Sequence, residues 1–110
     1  MTEKRIGVSG SKDFTRFYKN LDPDEELKNY IDKATDSLKE SPNIGNKIQK
    51  KLWPKEYVKK YDINNLWRYS LGSNWRMIYT ILSDGKNITC VILEVLTHKE
   101  YDERFGYQTS

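Results

Sequence analysis

Between residues 66 and 96 the apolar positions alternate with a period of two. The stretches 66–71, 75–82 and 88–96 are rich in β-branched and aromatic side chains, and Gly72-Ser73 and Asp84-Gly85 separate them as short hairpin signals. This pattern predicts a three-stranded antiparallel meander, with Asp84-Gly85 in a type I′ turn whose central residues both need positive φ. In the central strand Trp75, Met77, Tyr79 and Ile81 point one way, and Arg76, Ile78, Thr80 and Leu82 the other. Both sets are mostly apolar. That predicts a strand in the middle of a sheet, with helices on one face and a groove or chain ends on the other.

Upstream the period becomes helical. Residues 5–8 read as a short strand closed by Ser9-Gly10, and Ser11 can cap a helix starting at Lys12. Phe14, Phe17, Tyr18 and Leu21 fall at i, i+3, i+4 and i+7, one apolar face. A second helix is predicted with Asp22 as N-cap, Pro23 in the first helical position, and Asp24, Glu25 and Glu26 complementing its positive end. Leu27, Tyr30, Ile31, Ala34 and Leu38 form its buried stripe. It should stop near Ser41, because the residue before Pro42 is pushed out of the α region. The paired stripes need a surface to cover, and the meander supplies it. The predicted class is α+β, a short N-terminal strand and helical hairpin packed on an antiparallel β-sheet that ends in the meander.

The 110 residues predict one domain, 1–110, with a modest core. No stretch approaches the roughly 18 apolar residues of a membrane span, and the start MTEKRIGVSGSK lacks the apolar centre of a signal peptide. A cytoplasmic protein without a membrane partner is expected. The single cysteine, Cys90, has no internal partner and reads as a small buried hydrophobe. A net charge of +3 excludes little, but its distribution is uneven. Residues 22–40 hold seven acidic and three basic side chains, whereas residues 47–76 hold eight basic and two acidic.

Three places carry candidate chemistry. In the basic connector Lys47, Lys50, Lys51, Lys55, Lys59 and Lys60 either solvate a loop and a short helix begun by Pro54, or form a polyanion-binding face with Trp53, Tyr57 and Tyr61 as stacking surfaces. Arg76 is costly inside a central strand unless it reaches water, a carboxylate or a phosphate. It either pairs with Glu94 across the sheet or binds an anion, with Arg68 on the neighbouring strand close by. After Thr97 the apolar run stops, and the only histidine, His98, opens a charged stretch. His98 reads as a proton-transfer residue or as part of a surface cluster, and Tyr101 with Phe105 can pack a short terminal helix.

The order of these parts resembles the RelE/ParE superfamily of toxins from bacterial and archaeal toxin–antitoxin modules. The likeness is carried by Lys39-Glu40-Ser41-Pro42 at the end of the hairpin, by Trp75-Arg76-Met77-Ile78-Tyr79, and by His98-Lys99-Glu100-Tyr101. It implies a RelE-like fold and, for the RelE branch, a ribosome-dependent endoribonuclease that cleaves mRNA, inhibits translation and is silenced by a cognate antitoxin. Such enzymes use no metal or cofactor. The resemblance implies catalytic roles for Arg76 on the phosphate, His98 in proton transfer and Tyr101 in stacking or proton transfer. It implies RNA contacts for Lys50, Lys51, Lys55, Arg68 and Lys99. The connector is longer than in compact members, which bears on the lysines. Two other classes share the fold: a ParE-like toxin that binds DNA gyrase without cutting RNA, and a catalytically silent member that binds an antitoxin or nucleic acid.

Overall fold

The computed structural model describes residues 5–106. Strand β1 (Arg5–Gly10) leads into helices α1 (Lys12–Lys19) and α2 (Glu26–Glu40). The connector holds β2 (Asn46–Lys47), a 3₁₀ turn at Lys50–Leu52 and α3 (Lys55–Tyr61). Strands β3 (Trp67–Leu71), β4 (Trp75–Ser83) and β5 (Asn87–Thr97) form the meander, and α4 (His98–Phe105) follows it. All five strands join one sheet in the order β1-β5-β4-β3-β2, with β4 at the centre.

The meander is antiparallel as expected, but β1 pairs with β5 in parallel, so the sheet is mixed. Parallel neighbours require a long crossover, and here everything between β1 and β5 provides it. The two-residue β2, paired through Asn46 opposite Arg68, is too short to leave a periodic signal.

Helix α1 starts where its cap predicts. The Ser11 hydroxyl accepts from the Phe14 N–H at 3.0 Å and donates to the Leu93 carbonyl at 2.7 Å, so the cap also ties α1 to β5. Helix α2 begins later than its signals predict. Asp22 and Pro23 lie in a turn in which the Asp22 N–H donates to the Glu25 side chain at 3.2 Å and the Glu25 N–H to the Asp22 carbonyl at 3.0 Å. The helix then starts at Glu26 and ends at Glu40, before an extended Ser41. The hairpin between β4 and β5 is also a correction. Gly85 has a φ of 95°, but Asp84 does not have positive φ, so the turn is not type I′. The Asp84 carboxylate instead accepts from the N–H groups of Lys86 and Asn87, a local bond that favours its own turn geometry.

Both helices of the hairpin cover one face of the sheet. Leu27, Ile31 and Leu38 meet Met77, Tyr79 and Ile92 there, and Leu38, Met77 and Tyr79 have no exposed surface. Burying each aliphatic side chain of this kind stabilises the fold by about 1.5–3 kcal/mol. Cys90 lies in the same cluster, and burial pushes its thiol up to about 11.

The second face is covered in large part. Helices α3 and α4 pack on it through Tyr57, Tyr101 and Phe105 against Ile78, Leu93 and Leu96. A β-bulge makes room for them: Tyr79 pairs with Ile92 and Ile78 with Glu94, so Leu93 has no partner on β4. Among the described residues no helix is long and apolar enough to cross a membrane.

Candidate active site

The end of β5 brings His98 to Arg76. Trp75 pairs with Thr97, and the His98 N–H donates to the Asn74 carbonyl in the β3–β4 turn at 2.8 Å. Thr97 then caps α4 through a capping box, its hydroxyl accepting from the Glu100 N–H at 3.1 Å while the Glu100 carboxylate accepts from the Thr97 N–H at 2.8 Å. The direction of α4 is therefore set at its first residue, which is His98. The spacing Thr97-His98-Lys99-Glu100 signals such a box in the sequence, where Thr97 had read only as the end of an apolar run.

Arg76 turns toward that residue. Its Nη2 lies 3.2 Å from His98 Nδ1, and its Nη1 donates to the Trp75 carbonyl at 3.0 Å. The Arg76–Glu94 ion pair is not formed. Glu94 is taken by Arg104 from α4 and by the Tyr57 hydroxyl from α3, both at close range. Burial, with the bond to Glu94, holds the Tyr57 hydroxyl well above the usual tyrosine range. Tyr57 is thus a core residue and offers no stacking surface.

A guanidinium can only donate, so His98 Nδ1 accepts and the neutral ring carries its proton on Nε2. Nε2 lies 3.3 Å from Asp102 Oδ2, one helical turn on. Sequence reasoning gave Asp102 no role, although His98 and Asp102 stand at i, i+4. With the two side chains 59% and 37% exposed, this pair adds little stability. What it fixes is the ring's orientation and tautomer.

Arg68 and Arg76 share the second face, because Arg68 pairs with Ile78 and Arg76 with Ser70. Diagonal neighbours of this kind stand about 7–8 Å apart. Arg68 donates to the Tyr101 hydroxyl at 3.3 Å, its guanidinium 5.5 Å from that ring's centroid. Tyr101 itself is 1% exposed and stacks on Phe105 at 4.5 Å. Its ring has no free face for a base, so the stacking role fails, and its hydroxyl orients Arg68. Lys50, Lys51, Lys55 and Lys99 are all exposed, and none joins the Arg76–His98 or Arg68–Tyr101 contacts. Among the described residues no three His, Cys, Asp or Glu side chains gather as a metal site.

Residues 10–101 match the family described as ParE toxin of type II toxin-antitoxin system, parDE. The chain belongs to this toxin family. The match spans β1's end through Tyr101 and so contains Arg68, Arg76 and His98. A type II toxin has a cognate antitoxin as its partner. Among solved structures, the free state of a double mutant of E. coli toxin RelE matches with a TM-score of 0.60 and 16% identity, over 91% of this chain and 94% of that one. At that identity the likeness is one of fold, and the fold is RelE-like. No curated protein matches the chain.

Proposed function

We propose that this toxin is a ribosome-dependent mRNA endonuclease that inhibits translation in the cytoplasm. The observation that supports this most is the contact between Arg76 and His98 on the sheet face that also bears Arg68. An arginine beside an imidazole held in one tautomer provides what RNA cleavage needs, an anion binder next to a proton acceptor.

In this reading the scissile phosphate draws the Arg76 fork away from His98. That frees the Nδ1 lone pair, which takes the proton of the ribose 2′-hydroxyl. The 2′-oxygen then forms a bond to phosphorus as the bond from phosphorus to the 5′-oxygen breaks, the departing oxygen takes a proton from water, and the hydroxide so formed takes back the proton held on His98 Nδ1. A 2′,3′-cyclic phosphate and a 5′-hydroxyl result. Asp102 steadies the imidazolium through Nε2, and Arg68, aimed by Tyr101, adds positive charge beside the phosphate. Lys50, Lys51, Lys55 and Lys99 contribute longer-range attraction to RNA.

The family match favours a second reading, a ParE-like toxin that binds gyrase and cuts no RNA. Primer extension on a translated message after brief induction separates the two. Discrete cuts within codons support the nuclease. Growth arrest with intact message supports the second reading.

A further inference from the structure

A cleft of about 410 Å³ lies outside the Arg76–His98 site, between α1, α3 and the second face of β4 and β5. Its floor is aliphatic, built from Ile63, Leu82 and Leu93, and Leu82 is 50% exposed. An exposed leucine at the mouth of an apolar cleft is a surface that gains from being covered.

The rim is basic. Lys12 and Arg16 on α1 and Lys60 on α3 stand over the floor. The one carboxylate in the wall, Asp13, is already held by Lys60 and by the Tyr61 hydroxyl, and these bonds keep it below the usual carboxylate range. Lys12 and Arg16 are exposed and make no ion pair among the described residues. A second hollow along α1 shares both and adds Lys19, so the positive track continues beyond the cleft at i, i+4 and i+7.

Single-stranded RNA fits this surface poorly. Bases need flat faces to stack on, and the floor is aliphatic apart from the edge given by Tyr61. A peptide with leucine-like side chains and carboxylates satisfies both floor and rim. We propose that the cleft between α1 and α3 docks an acidic, aliphatic segment of the cognate antitoxin. This inference rests on membership of the toxin family and on the cleft, and it stands whether or not the toxin cleaves RNA.

The test uses the full-length toxin and the antitoxin encoded beside it, with affinity measured by calorimetry. Leu82→Glu and Arg16→Glu should each weaken binding by at least about tenfold, the first because it puts a charge on the aliphatic floor and the second because it puts a carboxylate where the segment brings its own. Leu82→Thr, a milder change that suits a strand, should weaken it less, and Lys33→Glu on α2 should leave it unchanged. Thermal melts confirm that the variants fold. In hydrogen exchange, bound antitoxin should protect α1 and α3. Full affinity in both glutamate variants, or no antitoxin binding at all, overturns the proposal. So does a short single-stranded RNA whose binding is lost in Arg16→Glu while the antitoxin's is kept.

Discussion

Arg76 Nη2 sits 3.2 Å from His98 Nδ1, and because the guanidinium has no acceptor the ring is fixed as its Nε2–H tautomer. If this pair carries RNA cleavage, His98→Gln should lower the cleavage rate by about 10² to 10⁴ on the ribosome, the usual scale for a proton-transfer group. Arg76→Lys should also slow it, since an ammonium cannot reproduce the two-pronged contact with phosphate. Asp102→Asn should cost less than either, because the amide oxygen still accepts from Nε2–H and only the negative charge beside the imidazolium is lost. Single-turnover cleavage on programmed ribosomes, with melts to confirm folding, measures all three. Wild-type rates in His98→Gln would remove its catalytic assignment.

The local patterns of this chain were legible where one face of an element is buried. Ser11 as a cap, the stripe from Leu27 to Leu38 and the alternation along β4 all follow from such faces. What escaped the sequence was non-local. Nothing in residues 5–8 says that β1 pairs in parallel, and nothing in Asp22-Pro23 distinguishes a cap from the turn that Glu25 completes. Glu94 is the sharpest case. The bulge at Leu93 turns Glu94 toward Tyr57 and Arg104, two partners that lie 37 and 10 residues away. Arg76 is thereby left for His98.

That cluster yields a stability prediction. Glu94 is the shared acceptor that pins both α3 and α4 to the sheet, and its side chain is 21% exposed. Glu94→Gln should destabilise the fold by about 1.5–3 kcal/mol, the range for losing hydrogen bonds to a charged group. Tyr57→Phe should cost less, since the ring stays packed and the Arg104 pair survives. Urea titration of the two variants gives the comparison. Equal losses would mean that the bond from Tyr57 carries the whole contribution of Glu94 and the Arg104 pair adds none.

Gly45 should tolerate no side chain. A Cβ there would stand 2.5 Å from the Arg68 carbonyl and 2.8 Å from the Tyr79 hydroxyl. Backbone on one side and a buried ring on the other leave little room to yield. Gly45→Ala is expected to push β2 away from β3 and to cost about 1–3 kcal/mol, the usual cost of overpacking. If the toxin cleaves RNA as proposed, cleavage should fall further than stability alone explains, since β2 flanks Arg68. Amide exchange across β2 and β3, set beside cleavage rates, tests this.

Tyr79 predicts how the fold responds to alkali. Its hydroxyl donates to the Pro42 carbonyl at 2.7 Å and accepts from the Gly45 N–H at 3.1 Å, while burial pushes it up to about 12 from an ordinary 10.0. Folding favours the protonated form, so its contribution is fully present below pH 10 and disappears as the pH rises toward about 12. An ionised Tyr79 could not donate to Pro42 and would have to sit, charged, beneath α2. Cys90, raised from 9.0 to about 11, has the same sign and begins to weaken the fold slightly earlier. Melting temperature should therefore drop steeply above pH 10. Tyr79→Phe should be less stable at neutral pH, because the Gly45 N–H and Pro42 carbonyl lose their partner, at about 1–3 kcal/mol for buried groups. The same variant should show a shallower alkaline decline, since one of the titrating groups is gone. A Tyr79→Phe protein that melts in parallel with the wild type from pH 9 to 12 would show that this hydroxyl does not control the alkaline transition.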